Sequence, residues 1–199
     1  MDRLPHLIGL CSLAGACAGE PAAPAGPAPS RVDAVAAAPA PVVDLAAFCE
    51  ARPAAGAAPA LTWPALHAST PTAPATGRWT WVNVWATWCG PCIEEMPRLM
   101  QWPERLGREG APVDLVFLST DTDASAVDRF RQKNAWAPES LLMADGAAAP
   151  AWVESLGLGL PTVLPLHLFV DPAGRVVCAR SGSIQSDAYP AVKAVVRGG

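Results

Sequence analysis

The run Trp79-Thr-Trp-Val-Asn-Val-Trp-Ala86 is apolar on both of its alternating faces. Successive strand residues point to opposite sides, so Trp81 and Trp85 share one face and Val82 and Val84 the other. A strand that must bury both faces is a central strand, covered above and below. Directly after it come Trp88-Cys89-Gly90-Pro91-Cys92 and a helix-like segment, predicted over about 90–106 with a kink at Pro97. The chain then alternates. A strand is predicted at 113–119, and a helix around 123–134 with Asp123 as cap and Val127 and Phe130 on its apolar face. A further helix is predicted at 149–156. Strands at 166–170 and 175–179 flank the turn Asp171-Pro-Ala-Gly174, and a last helix covers about 187–196. Strands alternating with helices, closed by a hairpin and helix, predict an α/β sandwich with a mixed sheet.

The chain ahead of this body is of another kind. Residues 1–17 carry a short polar start and an apolar stretch from Leu7 to Ala16, the pattern of a secretory leader. Ala14-Gly-Ala-Cys17 resembles a bacterial lipoprotein signal, in which Cys17 would carry the lipid, although Ala14 stands where Leu is commoner. Ordinary cleavage after Ala18 is the competing reading, since Ala16 and Ala18 are both small. Residues 18–41 are almost wholly Ala, Pro and Gly and bury too little to offset the entropy of ordering. Extended at about 3.1 Å per residue, they make a tether of up to ~70 Å. Residues 42–78 hold a short helix, with Val42, Leu45, Ala46 and Cys49 at helical spacing, and a Pro-rich extension that lays Trp63 and Leu66 on the body. Residues 79–199 are the folded domain proper.

Two cysteines two residues apart, where a strand gives way to a helix, form a dithiol able to open and close as a disulfide. With the helix starting at Cys89, that sulfur lies where unpaired N–H groups and the helix dipole favour a thiolate. Pro91 suits a first turn because its missing N–H costs nothing there. Cys92 sits one turn along and less exposed. Cys89 is accordingly the candidate attacking nucleophile and Cys92 the resolving thiol. Glu95 lies three residues past Cys92 on the same helical face, placed to take or hold its proton; the alternative is a solvated Glu like Glu94.

The string Val82-Asn-Val-Trp-Ala-Thr-Trp-Cys-Gly-Pro-Cys-Ile-Glu-Glu-Met-Pro-Arg-Leu99 resembles the active-site region of the bacterial extracytoplasmic thioredoxin-like family, whose members include the TlpA and ResA proteins. The likeness spans roughly residues 79–196. It implies a thioredoxin-like α/β/α fold, no bound cofactor, export with membrane anchoring, and reduction of disulfides in envelope proteins with electrons from an upstream donor. Glu95 matches the family's glutamate after the dithiol. The resemblance also implies a cis-proline facing the dithiol. Leu160-Pro161-Thr162 has the family's wording, whereas Leu164-Pro165 has the better spacing from the Asp171 turn, and Pro165 is preferred.

The six cysteines leave Cys49 and Cys178 unassigned once the leader and the dithiol are set aside. In an oxidising compartment they predict a structural disulfide, whose long loop is worth ~3–5 kcal/mol in chain entropy; two separate buried thiols are the alternative. His167 is expected to be a packed strand residue, and Trp88 to shield the first sulfur or contact partners. A net charge of −4 without a block of Lys and Arg gives no footprint for nucleic acid. Two functions compete with disulfide reduction: oxidation or isomerisation by the same residues, and copper handling by the two thiolates. Copper handling has only one Cys-x-x-Cys pair behind it, with no His at ligand spacing, and no metal site is assigned.

Overall fold

In a computed structural model, residues 43–54, 56–68, 71–74 and 77–198 are described. The leader, Cys17 and the tether of residues 18–41 lie outside these residues, as does Val42. The apolar run becomes β1 (Thr80–Trp85), and all six of its residues are buried. Parallel to it lie β2 (Asp114–Ser119) and, beyond that, β3 (Ser140–Leu142). On its other side β4 (Leu166–Val170) and β5 (Val176–Ser181) run antiparallel, so the sheet order is β3-β2-β1-β4-β5. The fold is the mixed-sheet, thioredoxin-like α/β sandwich.

The alternation in β1 sorts the core as expected. Trp81 joins Phe169 of β4 and residues of three helices: Leu99 of α2 (Gly90–Leu99), Leu106 of α3 (Trp102–Arg108) and Val192 of α6 (Tyr189–Val195). Val82 and Val84 face the other way, with Leu168 and with Trp152 and Val153 of α5 (Ala149–Ser155). A third cluster gathers at the end of β1, where Trp85, both dithiol cysteines and Met96 meet Val127 of α4 (Ala124–Lys133). Asp123 caps α4 by accepting from the Ser125 N–H at 2.9 Å.

Three local features differ from expectation. The predicted helix over 90–106 is two helices, and the break falls at Met100–Gln101 rather than at Pro97. Pro103 explains this: it has no N–H for the Leu99 carbonyl, and its ring excludes a continuous helix there, so α3 restarts around it. The strand β3 was unforeseen, since three residues after Pro138 give no readable period. The N-terminal helix α1 (Leu45–Phe48) is a single turn capped by Asp44, and it buries Leu45 and Phe48 while Ala46 faces out.

The segment following α1 wraps the sheet. Ala51 pairs with Ala179 along the β5 edge, and Leu61 and Trp63 pack on the Val82 face. Trp152 donates to the Thr62 carbonyl at 2.7 Å, and Leu66 bridges to Met143 beside β3. Backbone groups on both sheet edges thereby find partners within the chain, which blunts edge-to-edge association. Cys49 and Cys178 form a disulfide that ties α1 to β5 across a sequence separation of 129.

Candidate active site

The turn that joins β1 to α2 is clamped by one buried carboxylate. Asp121, just past the end of β2, accepts from the Thr87 N–H at 3.0 Å, from the Thr87 hydroxyl at 2.6 Å and from the Ser119 hydroxyl at 2.7 Å. Cys89 donates its N–H to the Ala86 carbonyl at 3.0 Å and takes the cap position of α2. Gly90 and Pro91 make the first turn, where an N–H is unpaired in any helix. The Cys92 N–H then points at the Cys89 sulfur, 3.3 Å away. A sulfur that accepts a helix-terminal N–H is a better thiolate than one in open solvent.

Cys89 and Cys92 are joined in a disulfide. Cys92 is wholly buried and Cys89 only 5% exposed, so the first sulfur is far more covered than its place at a helix end suggested. Packing explains this: both cysteines sit in the cluster of Trp85, Met96 and Phe117. The exposed neighbour is instead Trp88, at 71%. Leu164 packs on the same cluster, and the bond that follows it, Leu164–Pro165, is cis. Among the described residues that bond is the cis peptide, so Pro165 rather than Pro161 is the cis-proline of the loop before β4.

Glu95 is not a surface residue. It is fully buried on the inner face of α2, one turn beyond Cys92. Its Oε1 accepts from Asn83 Nδ2 at 2.8 Å and its Oε2 from the Ile184 N–H at 2.7 Å, while His167 Nε2 stands 3.3 Å from Oε1. Asn83 and His167 are direct cross-strand partners in β1 and β4, which sets both side chains on the face that α2 covers. The Ile184 carbonyl accepts two N–H groups of Arg98 at 2.7 and 3.2 Å, so the backbone of one residue meets both the carboxylate and a guanidinium. The same loop reaches the cis-proline through the Gly182 N–H and Pro165 carbonyl at 2.8 Å, and the α2 start through the Ser183 hydroxyl and Pro91 carbonyl at 3.4 Å.

Sequence reasoning did not single out Asn83, and His167 was expected only to pack. Both are polar residues inside otherwise apolar strands, and a buried polar group needs a partner. That signal was present in Trp-Val-Asn-Val-Trp and Leu-His-Leu; what the sequence lacked was the register that puts the two opposite each other. Cys49 and Cys178 lie within the cluster of Phe48, Trp81 and Phe169, which is separate from the cluster that holds the dithiol. Among the described residues, no group of three or more His, Cys, Asp and Glu is placed to hold one metal ion.

The family model described as Redoxin matches residues 54–194. The chain belongs to the Redoxin family. Its membership makes it a thioredoxin-like oxidoreductase, and the match takes in most of the segment that wraps the sheet as well as the dithiol. Solved structures similar to this Redoxin chain include the thioredoxin domain of a thiol-disulfide oxidoreductase from Bacteroides vulgatus, 20% identical over 61% of this chain and 81% of that one, with a TM-score of 0.48. StoA from Bacillus subtilis is 17% identical over 61% and 84% of the two chains, with a TM-score of 0.43. A secreted thiol-disulfide isomerase from Corynebacterium glutamicum is 21% identical over 62% and 73%, with a TM-score of 0.47.

Proposed function

We propose that this chain is a cell-envelope thiol–disulfide oxidoreductase that reduces disulfides in partner proteins through Cys89 and Cys92. The observation that carries the reading is a dithiol at a helix start whose second cysteine is backed, one turn along, by a buried carboxylate. The Cys89 thiolate attacks one sulfur of the partner's disulfide; a Cys89–partner bond forms, and the partner's other sulfur leaves as a thiolate. Cys92 gives its proton to Glu95 and attacks the Cys89 sulfur. The Cys89–Cys92 bond forms, the partner's remaining sulfur leaves with its electron pair, and two electrons have passed from this chain to the partner. An upstream dithiol donor must then reopen the Cys89–Cys92 bond. Trp88, exposed beside the sulfurs, and Pro165 across from them are the partner-contacting residues of this reading.

The Gly-Pro pair between the cysteines favours reduction over oxidation. Export is supported by the leader pattern in residues 1–17 and by a Cys49–Cys178 bridge, which needs an oxidising compartment to persist. Anchoring is assigned to lipid on Cys17, with residues 18–41 as spacer; among the described residues no helix is long and apolar enough to cross a membrane. The deciding measurement is the reduction potential of the Cys89–Cys92 couple in a glutathione or dithiothreitol titration. A value near −270 mV agrees with a reductase, and a value near −120 mV would reverse the assigned direction. Cys92→Ser should capture the partner as a mixed disulfide on Cys89 and so identify it.

A further inference from the structure

The residues behind Glu95 carry a second assignment. Trp81 Nε1 lies 3.2 Å from His167 Nδ1, and both side chains are fully buried. An indole N–H only donates, so Nδ1 must accept and cannot itself carry a hydrogen. The second N–H of the Asn83 amide approaches the same nitrogen at 3.3 Å. Two donors therefore converge on Nδ1, and the ring hydrogen is forced onto Nε2. That nitrogen stands 3.3 Å from Glu95 Oε1 without a formed hydrogen bond, and among the described residues it has no partner. A buried N–H beside a carboxylate oxygen without closing on it is one short side-chain movement from a full bond. Leaving such a group unmade costs more than the bond itself is worth.

We propose that His167 is a positioning residue for the exchange reaction: fixed by Trp81 as the Nε2–H tautomer, it steadies Glu95 as that carboxylate receives the Cys92 proton. The inference rests on the reading of Glu95 as proton partner of Cys92. When Cys92 loses its proton and attacks the mixed disulfide, Oε1 keeps the Asn83 donor and gains the His167 Nε2–H, and Oε2 keeps the Ile184 N–H. The carboxyl group is thereby held in one orientation through the step. The imidazole neither gives nor takes a proton. Its function is to present a donor from a fixed ring, and Trp81 supplies the fixing.

The test separates the two halves of the exchange. Reduced protein mixed with dithiobis(nitrobenzoate) releases one thionitrobenzoate when the Cys89 thiolate attacks and a second when Cys92 resolves the mixed disulfide. The second release is first order and followed by stopped flow. Glu95→Gln should slow the second release by about 100-fold, the range of a lost proton acceptor, and leave the first little changed. His167→Leu should slow the second release about tenfold, the order of one hydrogen bond to a reacting group. His167→Gln, whose amide N–H replaces Nε2–H, should recover most of that loss. Trp81→Phe, which frees the ring to turn, should slow the same release about threefold and carries the test independently if the leucine variant does not fold. A glutamine variant as slow as the leucine variant, or a leucine or phenylalanine variant as fast as wild type, overturns the role of His167 alone. An unchanged rate in Glu95→Gln overturns the proton-partner reading, and the role of His167 with it.

Discussion

Two disulfides lie among the described residues, and their surroundings differ. Cys49–Cys178 closes a sequence separation of 129, and Cys89–Cys92 closes one of 3. By chain entropy the first loop is worth about 5 kcal/mol and the second about 2 kcal/mol. The long bridge is set among Phe48, Trp81 and Phe169. The short one sits on a helix start, with an N–H on its first sulfur and Glu95 one turn past its second. Both are buried, so burial does not distinguish a structural bridge from an exchanging one. The difference lies in the setting: the short bridge has a helix N–H on its first sulfur and a buried carboxylate on the same helix, whereas the long one is packed among aromatic rings.

The largest expected effect tests the exchanging member. Cys89→Ser should lower insulin-reducing activity by at least ~10³-fold, as removal of a nucleophile does. Retention of full activity would place the chemistry elsewhere. The converse substitution tests the other bridge: Cys49→Ser with Cys178→Ser should lower the free energy of unfolding in urea by about 2–5 kcal/mol. Insulin reduction by the double variant at 25 °C should stay within about twofold of wild type, because the bridge and the dithiol belong to different core clusters. A large loss of activity with stability intact would show that the two regions are coupled. A graded dithiothreitol titration, read by alkylation and peptide mass spectrometry, should open Cys89–Cys92 before Cys49–Cys178. Simultaneous opening would remove the distinction.

Much of this contrast is legible in the sequence. The doubly apolar run identified the central strand, and the Cys-Gly-Pro-Cys spacing at its end located the Cys89–Cys92 pair. Helix spacing set Glu95 on the same face. The hidden part was tertiary. Asn83 and His167 meet only because Asn83 pairs with His167 in the antiparallel register of β1 and β4, and a one-residue slip would send one of them to the opposite face. Asp121 is likewise silent in Ser-Thr-Asp-Thr-Asp, where every residue is polar and none is marked out as the one that turns inward. The helix break was misplaced because two prolines compete for it, and Pro97 is absorbed in α2 while Pro103 interrupts.

Asp121 sharpens the comparison further, since it supports only the short bridge. Three donors converge on its carboxylate, and Asp121→Asn must turn an NH₂ toward at least one of them. The expected cost is about 1–3 kcal/mol in urea unfolding. The loosened Thr87–Trp88 turn should also raise the accessibility of Cys89 to alkylation in the reduced protein, while Cys49 and Cys178 stay protected. Unaltered stability and alkylation would mean that the turn is held by backbone contacts alone.

The smallest effect comes from a surface charge cluster that includes neither disulfide. Glu109, after α3, accepts hydrogen bonds from Lys193 Nζ at 2.7 Å and Arg105 Nε at 3.0 Å, and these hold its carboxyl down to about 2 from an ordinary 4.5. Because the folded value is the lower one, the folded state gains from ionised Glu109 above pH 4.5. That gain fades as pH falls from 4.5 towards 2. Glu109→Gln should therefore lower Tm by no more than a few degrees at pH 7, as befits a half-exposed and salt-screened group. Wild type and variant should converge as the pH drops through that window, and raising the salt at pH 7 should shrink the gap as well. A Tm difference that persists at pH 2 would point to lost packing of the Glu109 stem rather than lost charge. Insulin reduction should not change at any of these pH values beyond the wild-type profile, because this cluster ties α3 to α6 and touches neither disulfide.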